Sequence, residues 1–356
     1  MSARLHSAGS TGAAREDGPA MERETYKVVD MHTAGEPVRI VTGGYPPLEG
    51  ATLLEKRRFV HERLDHVRTR LMHEPRGHAE MYGAILTEPS HPGCAAAVLF
   101  MHASGYSTMC GHATIALGRW LVDTGRVGRT GDETRFLLEC PCGPVAVAVD
   151  TRGARTGAVS FDSVPAFACA LDREAEVPGL GRVRFDIGYG GAFYAVLPAA
   201  RLGLDLRATP LARLVEAATA ITEAVRAGPP VRHPSEPDLS FLYGTILTDD
   251  EAPGPDRPSR NLCVFGDGQV DRSPTGSGVT ARIAIETARR RLVPGTPWRI
   301  EGVTGVPFEG MAVAATTAGR YPAVTVRVSG RAYYCGWSEF VVEEEDPLRD
   351  GFLLPG

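Results

Sequence analysis

Apolar positions along this chain recur with two periods, and the strand-like and helix-like runs they mark come in the same order twice. In the first half, alternating apolar residues predict strands at Tyr26–Asp30, Ala84–Leu86 and Ala96–Met101. Between the first two lies a basic stretch, Leu54–Met72, with helical spacing through Leu54, Val60, Leu64, Val67 and Leu71. An apolar helix opens at Cys110 and runs toward Asp123-Thr-Gly125, a helix-stop signal. Phe136–Cys140 and Val145–Val149 read as a hairpin around Pro141-Cys-Gly143.

The second half predicts strands near Ala158–Phe161, Val183–Ile187 and Phe193–Val196. A helix follows over Pro210–Arg226, with proline at its first turn and Leu211, Leu214, Val215, Ala218, Ile221 and Val225 on one face. Seven prolines break residues 228–260 around a strand at Phe241–Leu247. A second glycine-opened helix spans Thr275–Arg291, and Ala312–Val328 and Ala332–Val342 read as closing strands. Many short strands with one long apolar helix per half predict an α+β fold of two domains, 26–165 and 166–345. Residues 1–25 and 346–356 read as tails.

The two halves align on their glycines. Met109-Cys-Gly-His112 faces Pro274-Thr-Gly-Ser277, so that Cys110 matches Thr275, Gly111 matches Gly276 and His112 matches Ser277. Upstream, Asp30-Met-His-Thr-Ala-Gly35 and Asp186-Ile-Gly-Tyr-Gly-Gly191 share an Asp-to-Gly spacing. The chain reads as one fold written twice, with two helix starts aimed at a shared cleft.

Composition narrows the function. With 356 residues, 43% hydrophobic, 23% charged and a net charge of −5 without a basic block, the chain suits a globular protein and not a nucleic-acid partner. No apolar run is long enough to span a membrane. Seven cysteines, an odd and sparse set, fit reduced thiols and a cytoplasmic location. Cys140-Pro-Cys142 lacks metal-site spacing and reads as two strand residues. Acidic residues in the first 25 positions argue against a transit peptide.

Chemistry concentrates at the helix starts. A cysteine there meets free N–H groups and the positive end of the helix dipole, so Cys110 is expected to have a lowered pKa. The turn Asp271-Arg-Ser-Pro-Thr-Gly-Ser-Gly278 offers N–H groups to an anion, and two facing helix starts suit a carboxylate. Local sequence leaves Asp271 and Ser273 open between helix capping and substrate contact.

These two motifs, with Val29-Asp-Met-His-Thr-Ala-Gly-Glu-Pro37 and His73-Glu-Pro-Arg-Gly-His78, resemble the proline racemase family from about Val28 to Leu354. The resemblance implies a diaminopimelate epimerase-like fold, two pseudo-symmetric half-barrels each around a central helix. It implies no cofactor and no metal. It places Gly111 and His112 against the substrate, Asp271 near a ring nitrogen, and Gly276 and Ser277 at a carboxylate. Racemases of this family carry a cysteine at both helix starts. Here the second position is Thr275, whose hydroxyl is too weak an acid and base for two-base exchange. The resemblance makes that replacement the mark of a dehydratase acting on trans-3-hydroxy-L-proline, with Cys110 taking the α-proton and Thr275 shaping the pocket. His32, Glu36, His78 and Tyr189 are further candidates, each expected to make a structural hydrogen bond. A homodimer is the expectation for an enzyme of this size. Racemisation or epimerisation of proline or 4-hydroxyproline is the rival activity, and a non-catalytic amino-acid binding protein is the rival class.

Overall fold

The computed structural model describes residues 23–249 and 257–354. The first half runs β1 (Arg23–Thr33), β2 (Glu36–Gly43), α1 (Leu53–Arg63), α2 (Asp65–Met72), β3 (Tyr82–Thr87), β4 (Cys94–His102), β5 (Gly105–Ser107), α3 (Gly111–Asp123), β6 (Glu133–Cys140), β7 (Gly143–Asp150) and β8 (Val159–Asp162). The second runs β9 (Phe167–Val177), β10 (Gly181–Tyr189), β11 (Phe193–Pro198), α4 (Leu211–Ala227), β12 (Leu242–Thr248), β13 (Ser259–Phe265), β14 (Gln269–Asp271), α5 (Gly276–Ala288), β15 (Trp298–Glu301), β16 (Pro307–Ala318), β17 (Tyr321–Gly330) and β18 (Ala332–Glu343).

Strand pairing repeats between the halves. The antiparallel pair β1–β2, the parallel pair β2–β3 and the antiparallel pair β3–β4 match β10–β11, β11–β12 and β12–β13. The parallel pair β4–β6 and the antiparallel pair β6–β7 match β13–β15 and β15–β16. The antiparallel pair β8–β17 is the seam where the halves join. The expected α+β architecture of two half-barrels is therefore what the chain forms.

One feature was invisible in the sequence. The strand that follows each repeat pairs with the first strand of the other: β9 follows β8 and pairs with β10, whereas β18 follows β17 and pairs with β1 along its whole length. We keep 26–165 and 166–345 as the proposed repeat units, with β18 exchanged into the first half. Of the expected N-terminal tail, residues 1–22 lie outside the described residues and Arg23–Thr25 already belong to β1. The expected C-terminal tail is held against α2, where Phe352 bridges to Glu74 and Asp350 pairs with Arg70 at 2.8 Å.

The central helices are buried over most of their length, which is why their sequences are largely apolar. Gly118 of α3 is fitted to β8 and β7: a Cβ there would lie 2.7 Å from Val159 and 3.0 Å from Val147. One continuous core spans both central helices. Two further cores lie outside the sheets, one under α1 and α2 and one under α4. The basic helical stretch forms two helices, divided at Leu64, and α1 begins with a capping box between Thr52 and Glu55. Ala312–Val328 is likewise two strands, turned by Gly319 at φ +55°.

Candidate active site

The starts of α3 and α5 meet at their glycines. A Cβ on Gly111 would sit 2.5 Å from the Cα of Gly276, and one on Gly276 would sit 2.6 Å from the Cα of Gly111. Only two glycines allow backbones to approach this closely. The first N–H groups of a helix have no partner within it, so this contact brings two sets of free donors and two positive dipole ends together. The Phe161 ring, at the seam, closes over both glycines.

Turns from each half reach across to the other. Thr108 Oγ1 donates to Gly191 O at 2.7 Å, Thr304 Oγ1 to Ala34 O at 2.8 Å, and Arg272 N–H to Glu36 Oε2 at 2.7 Å. The site is shut: Cys110, Asp271 and Thr275 are each 5% exposed.

At the first start, Cys110 is the N-cap and its sulfur accepts Ala113 N–H at 3.4 Å. His112 Nδ1 lies 3.1 Å from that sulfur, and His112 Nε2 lies 3.2 Å from Pro37 O. A carbonyl only accepts, so Nε2 carries the hydrogen and Nδ1 is left to accept from the thiol. Burial lowers the His112 pKa to about 3, which keeps the ring neutral. The expected lowering of the Cys110 pKa is not found. Burial pushes the thiol well above its ordinary value; the Ala113 N–H and Tyr82 oppose this, and the carboxyls of Asp271 and Glu36 add to it. The helix start helps the thiolate, and desolvation in the closed site outweighs that help.

At the second start, Thr275 adopts φ +65°, a left-handed conformation unusual for a β-branched residue. Its N–H donates to Ser273 Oγ at 3.0 Å, and Ser273 N–H donates to Asp271 Oδ1 at 2.8 Å. Asp271 and Ser273 thus shape the turn. The Thr275 hydroxyl is buried and has no hydrogen-bond partner among the described residues, although it lies near enough to Asp271 and Cys263 to oppose the rise in their pKa values. Burial raises the Asp271 pKa to about 6.

The structure therefore brings Cys110, Gly111, His112, Asp271, Thr275, Gly276 and Ser277 together, with Glu36 among them. It separates the other three candidates. His32 stacks on Tyr333 at 5.4 Å, His78 is on the surface, and the Tyr189 ring packs among Phe167, Phe193 and His233. Residues not anticipated complete the walls. Tyr82 Oη shares a hydrogen with Ser107 Oγ at 2.5 Å and its ring meets His112 edge-on at 4.7 Å. Tyr194 Oη pairs with Ser277 Oγ at 2.7 Å, and Tyr243 stacks on Phe265 at 5.2 Å. The signal for two of them was a repeated Tyr-Gly pair, Tyr82-Gly83 and Tyr243-Gly244, at matching ends of β3 and β12.

A thiol with a ring nitrogen beside it, set where two helix starts meet in a closed cleft, is an arrangement able to exchange a proton beside a bound anion. Residues 28–353 match the family described as proline racemase, and the chain belongs to that family. Trans-L-3-hydroxyproline dehydratase of Saccoglossus kowalevskii is 51% identical over 325 residues, 91% of this chain and 100% of that protein. The 3-hydroxyproline 2-epimerase of Burkholderia multivorans is 42% identical over 327 residues, 92% of this chain and 97% of that protein. A solved hydroxyproline epimerase from Agrobacterium vitis, with bound trans-4-hydroxy-L-proline, superposes with a TM-score of 0.88 at 28% identity. It covers 93% of this chain and 95% of its own.

Proposed function

We infer that this chain is a hydro-lyase that dehydrates trans-3-hydroxy-L-proline to Δ1-pyrroline-2-carboxylate. The observation that carries the reading is the asymmetry of the two helix starts: a thiol with an adjacent acceptor at Cys110, and only a hydroxyl at Thr275. Curated relatives named for this dehydration, at about half identity over nearly the whole chain, support it.

In this reading the helix N–H groups at Gly111, His112, Gly276 and Ser277 hold the substrate carboxylate and the charge that spreads onto it. Asp271 receives the ring ammonium. His112 Nδ1 takes the Cys110 thiol proton, a transfer that runs uphill because burial opposes charge on both groups, and the thiolate so formed takes the α-proton. The high thiol pKa makes that thiolate scarce but strongly basic. In the trans substrate the 3-hydroxyl lies on the same ring face as the α-hydrogen. As the C3–O bond breaks, the hydroxyl leaves as water with the proton held on His112 Nδ1. The Cys110 thiol is then restored, and the enamine tautomerises to product. Thr275 offers no competent acid on the opposite face, so inversion is suppressed.

Epimerisation is the second reading, favoured by the Burkholderia relative. Incubation with trans-3-hydroxy-L-proline, trans-4-hydroxy-L-proline and L-proline in D2O separates the two. Dehydration predicts Δ1-pyrroline-2-carboxylate from the 3-hydroxy compound alone. Inverted, α-deuterated product would overturn it. The free state of all seven cysteines supports a cytoplasmic setting, and among the described residues no helix is long and apolar enough to cross a membrane. The proposed assembly is a homodimer, which sedimentation would check.

A further inference from the structure

The turn between β1 and β2 touches both helix starts. Thr33 Oγ1 donates to His112 O at 2.8 Å, Pro37 O accepts from the His112 ring, and Glu36 accepts Arg272 N–H. Glu36 lies between these contacts, 1% exposed. It is close enough to Asp271 for that carboxyl to hinder its ionisation, and close enough to Cys110 and Cys263 to hinder theirs. Among the described residues neither carboxyl forms an ion pair with a side chain; the neighbouring Arg272 guanidinium is engaged by Glu80.

Two buried carboxyls whose one nearby cation, Arg272, is shared with Glu80 are costly to ionise. An arriving cation relieves that cost, most fully one that offers a separate N–H to each. A ring ammonium of the proline type carries two N–H groups, and a single carboxyl such as Asp271 leaves the second to be matched. We propose that Glu36 and Asp271, one from each half, receive the two N–H groups of the substrate's ring ammonium. This rests on the imino-acid substrate proposed above. A Glu36 that only held the Arg272 amide would need no charge, and glutamine would serve as well.

Titration calorimetry would compare L-proline, a ring ammonium with two N–H groups, with pyrrole-2-carboxylate, which has one neutral N–H. Both would be measured on the wild-type protein and on Glu36→Gln. The expected result is a loss of about 10- to 100-fold for L-proline and a change under about threefold for pyrrole-2-carboxylate. Equal losses for both ligands, no loss for either, or wild-type protein that binds pyrrole-2-carboxylate but not L-proline would overturn the proposal. Should Glu36→Gln fail to fold, Glu36→Asp decides by the same ratio, because it keeps the charge but withdraws it by one methylene. Wild-type protein that binds both ligands yet fails to dehydrate the 3-hydroxy compound would sink the dehydratase reading and leave this ratio readable.

Discussion

The two helix starts share one backbone plan and differ at the residue that matters most. Cys110 caps α3 in an ordinary extended conformation and its sulfur accepts an amide of the first turn. Thr275 opens α5 with a left-handed backbone and no side-chain cap, and Ser273 takes over its amide. One start spends its side chain partly on the helix and partly on His112. The other leaves a buried hydroxyl with no hydrogen-bond partner among the described residues. In the proposed mechanism a duplicated fold keeps an anion-binding frame in both copies while confining proton chemistry to one. The backbone strain falls on the copy without the thiol, which matches the tendency of strained residues to gather at functional sites.

The largest test of that division is Cys110→Ser, which leaves both helix starts in place. Dehydration should fall by about 10³-fold or more in a product-formation assay, with circular dichroism unchanged. Comparable activity in the variant would break the comparison outright. Next is the shared frame: Gly276→Ala pushes a methyl into the Gly111 backbone and should cost about 2–4 kcal/mol in chemical denaturation. A neutral result would mean that the two starts separate easily.

Third comes pH. The Asp271 pKa is raised on folding, from 3.8 to about 6. Its protonated form is therefore favoured in the folded chain, so its contribution to stability is full below pH 4 and is lost as pH rises through about 6. The loss is on the order of 3 kcal/mol. Binding of the ammonium needs the ionised form, so kcat/KM should rise over the same window. Asp271→Asn should flatten the stability change between pH 4 and 7, and an unaltered slope would assign it to another group. Smaller still, Thr275→Cys should sharpen the symmetry. With L-proline in D2O it should raise α-deuteration by about 10- to 100-fold by NMR. Smallest is Thr275→Gly, which should relieve the left-handed strain and stabilise the empty protein by about 1 kcal/mol in a thermal melt.

Much of this comparison was legible in the chain itself. The glycine-opened helices, the Cys110/Thr275 mismatch and the repeated Asp-to-Gly turns all carry local signals, because a tight turn and a helix start restrict residue types directly. Other parts were not legible. β9, with Asp172, Arg173, Glu174 and Glu176 in its exposed stretch, lacks the apolar run that marks a strand. β5 and β14 are three residues each, too short for any period. The exchange of β18 depends on pairing across some 300 positions, which no local pattern encodes. Tyr82 and Tyr243 share only a short Tyr-Gly pair and Tyr194 lacks even that, so their place around the cleft emerges only when the chain folds. The thiol pKa went the other way from expectation because burial depth, a property of the closed molecule, outweighs the dipole of a single helix.

The exchanged strand also bears on how the chain is made. β1 is the first of the described strands to be made, yet its partner β18 is translated only after some 300 further residues. Until then one edge of β1 stays open for much of translation, an exposed strand of the kind that invites wrong pairing or chaperone binding. The second half carries no such delay, because β9 leaves the ribosome just ahead of β10. A nascent chain arrested after Gly330 should therefore protect α5 from protease before it protects β1, although β1 was synthesised first.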